Sequence, residues 1–413
     1  MVAELLIRPG VNDHQVVADL LAPGGASVSL PTGRPVINRL VLDAHVAAQR
    51  PLLAQAAAGA GIPYVIDPLT YLLQGQVRPD DRWARLPFGR APAMSHDELQ
   101  SDGAKDSLVE AVVDFQLEAG ATAVLPPYLY ALSPEDPWFA ISLDLVTRTA
   151  LYMRRTGIHL PITPLLCAQL QGFGAEKTWP AGIDRFAEVA LEVDPAAIAV
   201  CLSPAGSALD GYHKLVRLFS ATDRLARTGV PILAWRQGIY GPALVAAGIQ
   251  GYETGIGTRE QCNMARATAS RGPRRDGTKR TGGAAPGVFL EPLGRSVPMP
   301  VAQALLGDLR MRAKVMCDDE QCCPRGPTST LEQHREHAVR SRARVLAALD
   351  SMPQRAWKLH RVARDARGAA SLLGQANKTL AELGMRVKLS DTSATSLARV
   401  ADHLSNTAAS DAL

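Results

Sequence analysis

The sequence predicts an α/β fold, a (β/α)8 TIM-like barrel with a C-terminal metal-binding helical extension. Three observations carry this expectation. Eight short, nearly continuous apolar runs recur through about the first 260 residues, and helical patterns fill most of the gaps between them. Three cysteines and two histidines then crowd into residues 317–337. Apolar runs of this length fit strands buried on both faces, as in parallel sheet. Strand and helix alternating eight times over that length is the arrangement of a closed parallel barrel.

The expected strands are Ala3–Arg8, Arg39–His45, Pro63–Asp67, Ala123–Tyr128, Leu160–Cys167, Ile198–Ser203, Val230–Arg236 and Gly251–Gly257. Helical spacing is expected over His45–Ala60, Ser107–Ala119, Trp138–Thr156, Ala181–Val193, Ser207–Thr228 and Tyr240–Ala247. Gly157 and Gly229-Val230-Pro231 are good helix stops leading into a strand. Two connections are longer than they need be, residues 71–106 after the third strand and 258–298 after the eighth. Loops that follow strands lie on the C-terminal face of a barrel, where active sites are built. Beyond Val301 the pattern is all-helical. Ser329-Thr-Leu-Glu332 has the spacing of a capping box that opens a helix to about Asp350, and helices at 352–384 and 391–408 follow. The expected organisation is a barrel over 1–300, a metal module with its capped helix over 301–350, and C-terminal helices over 351–413.

Of 413 residues, 47% are hydrophobic and 20% charged, an ordinary composition for a globular chain able to bury a large core. No secretory signal pattern and no long apolar span is visible, so a cytoplasmic protein that does not cross a membrane is expected. The net charge is only +4, but it is uneven. Arg266, Arg271, Arg274, Arg275, Lys279 and Arg280 cluster in the loop after the eighth strand. Arg335, Arg340, Arg342, Arg344, Arg355, Lys358, Arg361 and Arg364 follow in the tail. Such asymmetry suits a polyanionic partner, with Arg271, Arg274, Arg275, Lys279 and Arg280 as its first candidates; solvated loops and helix faces are the plainer alternative.

Cys317, Cys322 and Cys323 flank an Asp-Asp-Glu-Gln segment, and Pro324 and Gly326 help reverse the chain. In a reduced compartment clustered thiols are better metal ligands than disulfide partners. His337, or alternatively His334 three residues earlier, would complete a Cys3His set, and a Cys2His2 set using both imidazoles is also open. Four protein ligands with no open position describe a structural zinc site. Cys167, Cys201 and Cys262 sit in or beside apolar runs and behave as small hydrophobes.

Carboxylates at strand ends are the main catalytic candidates, because a buried carboxylate is costly unless it has a partner or a task. Glu253 lies within the eighth expected strand. Asp67 ends the third, although Asp67-Pro68 also suits a turn, and Asp43 is a plausible helix cap. Two carboxylates from separated strands suit a nucleophile and a general acid/base. Gln171 with Gly172, Ser203, Arg236 and Gln237 add polar groups at other strand ends. Gln reads a base edge in two hydrogen bonds, and Gly admits close backbone approach to a flat ligand. Tyr71, Trp83, Phe88, Tyr128 and Tyr130 could stack on a base or anchor the core.

On these motifs the chain resembles the tRNA-guanine transglycosylase superfamily, including its relatives that place deazaguanines in DNA. Ala247-Gly-Ile-Gln-Gly-Tyr-Glu253 looks like that family's run into its last strand. Asp67-Pro-Leu-Thr-Tyr looks like its early aspartate motif, and Leu170-Gln171-Gly172 like its base-reading motif. The order of parts is similar too, with a zinc site of three Cys and one His behind the barrel. The chain departs from the family at Ala199-Val-Cys-Leu-Ser-Pro204, at Pro126-Pro127, in its cysteine spacing, and in having Glu rather than Asp at 253. The resemblance implies a base-exchange glycosyltransferase, a pentosyltransferase on DNA or tRNA, with a deazaguanine-type incoming base and a homodimer as its assembly. Glu253 would then be the nucleophile, Asp67 the acid/base and Gln171 with Gly172 the base reader. Two other readings stand beside it: a non-catalytic nucleic-acid-binding barrel, and a barrel hydrolase or lyase acting on a small anionic metabolite.

Overall fold

The computed structural model describes residues 2–22, 34–174, 179–272 and 287–410. Strand β1 (Glu4–Ile7) is central, with β2 (Arg39–Asp43) on one side and β7 (Gly251–Thr254) on the other, both parallel. β3 (Tyr64–Asp67) extends the first side. On the second, β6 (Ile232–Ala234), β5 (Ile198–Ser203) and β4 (Leu165–Gln169) complete a seven-stranded sheet of order β3-β2-β1-β7-β6-β5-β4. All of its pairings are parallel. The fold is the expected TIM-like barrel.

The fourth expected strand position is filled differently. Residues 123–131 make only isolated bridges, Val65 with Ala123 on the β3 side and Val124 with Ile162 and Ala131 with Ala168 on the β4 side. Pro126 and Pro127 explain this, since neither offers an N–H and two missing donors cannot sustain a ladder. The segment expected as strand Ala123–Tyr128 thus bridges the gap between the outer strands without being a strand itself.

Helices cover the sheet: α1 (His14–Leu21), α2 (Ala44–Gln49), α3 (Pro51–Gly59), α4 (Asp102–Glu118), α5 (Pro137–Thr156), α6 (Trp179–Glu192), α7 (Tyr212–Ala226) and α8 (Gly241–Ala246). The single helix expected over His45–Ala60 is split. Arg50, which precedes a proline, leaves the helical region at φ −133° and ψ 61°. The long connection after β7 contains α9 (Met264–Ala269) and the antiparallel pair β8 (Val288–Leu290) and β9 (Arg295–Val297). Arg274, Arg275, Lys279 and Arg280 lie outside the described residues.

The tail is helical, as expected: α10 (Met299–Gly307), α11 (Leu309–Val315), α12 (Pro327–Glu332), α13 (His334–Asp350), α14 (Arg355–Glu382) and α15 (Thr392–Ser410). The expected capping box does not start this helix. α12 begins earlier, at Pro327, and the Ser329 hydroxyl instead accepts from the Arg325 N–H at 3.1 Å. α13 starts afresh after Gln333. The tail shares the barrel's core, because Leu359, Val362, Ala363, Val400 and Ala401 belong to the same buried apolar cluster as β1 and β5. Among the described residues no helix is long and apolar enough to cross a membrane.

Candidate functional site

The parallel register brings the carboxyl ends of β1, β2, β3, β6 and β7 to one place. Arg8, one residue past β1, lies fully buried there among three carboxylates. Its Nη1 pairs with Asp43 at the end of β2 and, at 2.8 Å, with Asp67 at the end of β3. Its Nε lies 3.0 Å from Glu253 in β7. Asp67 is saturated, since Tyr128 Oη donates to it at 2.7 Å, the Leu69 N–H at 2.9 Å and Trp235 Nε1 at 3.3 Å. Asp43 also receives Arg259 Nη1 at 2.6 Å.

Glu253 accepts the backbone N–H of Arg236 at 2.9 Å. Arg236 itself stands in the left-handed region at φ 57°, unusual for a long side chain, just after β6. Its guanidinium lies over the Tyr71 ring, 6.0 Å from the centroid. Among the described residues no carboxylate is within ion-pairing distance of it. Arg271 does have one, donating to Asp81 at 2.7 Å and reaching His45 Nε2 at 3.0 Å.

Burial and charge act in opposite directions on these groups. Burial raises the Glu253 carboxyl above its usual range, and the pull of Arg8 and Arg236 only partly offsets it. Burial also opposes ionisation of Asp43, but Arg259 and Arg8 outweigh it and hold that carboxyl well below the usual range. Desolvation is likewise the largest influence on Arg8, yet Glu253, Asp67 and Asp43 together keep it firmly protonated. Burial pushes the His45 imidazole down to about 4.

The expected site residues divide. Glu253, Asp67 and Arg236 meet in this cluster. Gln237 is beside it and buried, and neither atom of its amide has a hydrogen-bond partner among the described residues. Ser203 lies at the end of β5, where its hydroxyl accepts the Met264 N–H at 2.9 Å. Gln171 is exposed, and Gly172 packs so tightly that an added Cβ would lie 1.6 Å from the Leu132 carbonyl oxygen. Neither makes a hydrogen bond to the carboxylate cluster among the described residues. Arg8, Arg259 and His45 were not singled out from the sequence. Arg8 had the same signal as Glu253, a charge closing an apolar run.

The second grouping is in the tail. The sulfurs of Cys317, Cys322 and Cys323 and a ring nitrogen of His337 all lie within 4.8 Å of one another, and all four residues are buried. His337 Nδ1 is 3.4 Å from both Cys322 Sγ and Cys323 Sγ, while its Nε2 faces the Phe289 carbonyl oxygen at 2.9 Å. Of the two imidazoles, His337 belongs to this grouping, while His334 Nδ1 turns to the Leu331 carbonyl oxygen. Ligands about 2.0–2.3 Å from one tetrahedral ion would be separated by roughly these distances, so the four residues could hold a metal. Thr330 Oγ1 donates to Cys323 Sγ at 3.3 Å and Arg344 Nη2 to Cys317 Sγ at 3.5 Å, as partners that hold thiolates in place. A separate cavity of about 530 Å³ lies where α13, α14 and α15 meet the β8–β9 hairpin. Arg8, Asp43, Asp67 and Glu253 are not among the residues lining it.

No known protein-family profile matches the chain, and no curated protein matches it. Solved structures similar to it include the carboxyl transferase domain of Rhizobium etli pyruvate carboxylase, at 14% identity and a TM-score of 0.36, covering 100% of this chain and 61% of that one. A truncated 3-deoxy-D-arabino-heptulosonate 7-phosphate synthase from Thermotoga maritima has 12% identity and a TM-score of 0.33, covering 65% and 83%. Likeness this weak carries no functional argument. None of eight such structures is a tRNA-guanine transglycosylase. With no family profile matching the chain, the family resemblance drawn from the three short motifs is corrected, and with it the pentosyltransferase reading. The geometry supplies a physical reason. The Gln171-Gly172 pair, expected to read a base, makes no hydrogen bond to the carboxylates among the described residues.

Proposed function

We propose that the chain is a barrel enzyme of the hydrolase or lyase type acting on a small anionic metabolite. The observation that carries this is the pairing of Glu253 with Arg236 at adjacent strand ends. Burial raises the Glu253 carboxyl above its usual range, the direction that suits a general acid/base. The Arg236 guanidinium, lacking a carboxylate partner among the described residues, is the group to hold the substrate's charge. Arg8, Arg236 and Arg259 face Asp43, Asp67 and Glu253, three charges against three. A proton on Glu253 leaves a net positive site that attracts an anion. Arg8, Asp43 and Asp67 act as positioning residues that fix Glu253.

Thermal melting with inorganic phosphate, sulfate and oxalate tests the binding half. Wild type is expected to gain stability with at least one anion, and Arg236→Met to lose that gain. Glu253→Gln should keep the anion response while abolishing turnover of small phosphate or carboxylate esters. If no anion raises the melting temperature, or Arg236→Met responds like wild type, the reading is wrong.

For the tail grouping, the metal proposed is zinc in a structural role, supported by three thiols and one imidazole with no vacant ligand position and by the Phe289 carbonyl that orients His337.

A further inference from the structure

Three further cysteines converge inside the barrel. Cys167 in β4 and Cys201 in β5 are register partners, so their side chains leave the sheet on the same face. Cys262 and Met264 reach the same spot from the segment after β7. Ala205 and Cys262 exchange backbone hydrogen bonds of 2.8 and 2.9 Å, and the Met264 N–H is fixed by Ser203. Cys201 Sγ is then 3.4 Å from Cys262 Sγ and 3.6 Å from Met264 Sδ, and it hydrogen-bonds the Cys167 thiol. All four residues are 2% exposed or less.

We propose that Cys201, Cys262 and Met264 form a binding site for a single monovalent soft cation, Cu(I) or its probe Ag(I). Two thiolates and a thioether select such an ion over zinc, calcium or magnesium, which favour nitrogen, oxygen or a fuller thiolate set. Three sulfurs about 2.3 Å from one ion lie roughly 4 Å apart, and the separations of 3.4 and 3.6 Å from Cys201 Sγ are close to that. Binding releases two protons, one each from Cys201 and Cys262, and changes no oxidation state. The Cys167 thiol keeps its proton and donates to the Cys201 thiolate. The complex carries one negative charge, and the nearby charge of Arg236 acts on all three thiols. Packing alone explains buried cysteines, but not a thiol and a thioether both in contact with Cys201 Sγ beside a cation.

The test uses the full chain with its Cys317 grouping intact. Cu(I) is titrated anaerobically against a bathocuproine competitor while other metals are followed by elemental analysis. One Cu(I) per chain is expected, with X-ray absorption showing sulfur-only ligation. Met264→Leu, which keeps the volume and removes only the thioether, should weaken binding about tenfold, and Cys262→Ser about a hundredfold. Met264→Leu decides the question if Cys262→Ser fails to fold. Uptake equal in both variants, uptake matched by metal lost from the Cys317 grouping, or no uptake at all would overturn the proposal. So would a Cys201–Cys262 disulfide found by mass spectrometry in place of copper.

Discussion

Arg8 is the residue whose loss would be felt most widely, because three buried carboxylates face it. Arg8→Met keeps a long apolar stem but strips a partner from Asp43, Asp67 and Glu253. Removing one side of a buried ion pair costs about 3–5 kcal/mol, and the urea midpoint is expected to fall by that loss divided by the m-value. His45 makes a pH prediction. Its folded-state value of about 4 lies below that of the unfolded chain, near 6.5, so the unfolded chain takes up the proton first. Its contribution is full above about pH 6.5 and declines as pH falls towards 4. His45→Gln should flatten that part of the stability profile by roughly 2–3 kcal/mol, seen by denaturation at a series of pH values. At this scale the sequence was partly legible. Glu253 and Asp67 stood out as charges in apolar runs, and Arg8 belonged to the same pattern. Their mutual pairing did not show, because it arises from register between strands far apart in the chain, with Leu6 opposite Glu253 and Asp43 opposite Asp67.

Among the elements, the Cys317–His337 grouping ties a turn to α13, and α13 to the β8–β9 hairpin through Phe289. Cys322→Ser or Cys323→Ser should release the bound metal and lower stability by several kcal/mol, because binding and folding are coupled there. Metal analysis beside thermal melting checks both parts; a metal-free wild-type preparation that melts unchanged would refute the assignment. α8 provides a packing test. A Cβ on Gly241 would lie 2.1 Å from the Tyr252 ring, so Gly241→Ala is expected to destabilise by about 1–3 kcal/mol through overpacking. Arg335, Arg340, Arg342, Arg344, Arg355, Lys358, Arg361 and Arg364 each have an acidic partner, and four of these lie in the barrel or the β8–β9 hairpin: Asp13, Glu260, Glu291 and Asp223. A count of arginines carries no information about pairing. The strand runs were legible as strands except where Pro126-Pro127 overrode them, a local rule that the sequence does display.

Across the whole molecule, tail and barrel pack into one buried apolar cluster. Arg342 on α13 donates to the Gly238 carbonyl oxygen at 2.8 Å and to Glu260 at 2.6 Å, and its guanidinium lies 4.0 Å from the Phe289 ring centroid. α14 and α15 bury Leu359, Val362 and Val400 in the barrel's own core. A chain truncated after residue 300 should therefore be insoluble or lack a cooperative unfolding transition, whereas the full chain should melt as one unit by circular dichroism. The expected organisation over 1–300, 301–350 and 351–413 followed from a change in periodicity, and periodicity is silent about which faces meet.

The position of Arg8 also bears on how the chain is made. During synthesis Arg8, Asp43 and Asp67 emerge early, yet Glu253 is still some 190 residues short of appearing. Asp350, which receives the Ala3 N–H at 3.0 Å, comes later still. The first strand cannot settle until its last neighbour has left the ribosome. The growing polypeptide therefore spends most of its synthesis with unpaired apolar strands, the stage at which holding by a chaperone matters most.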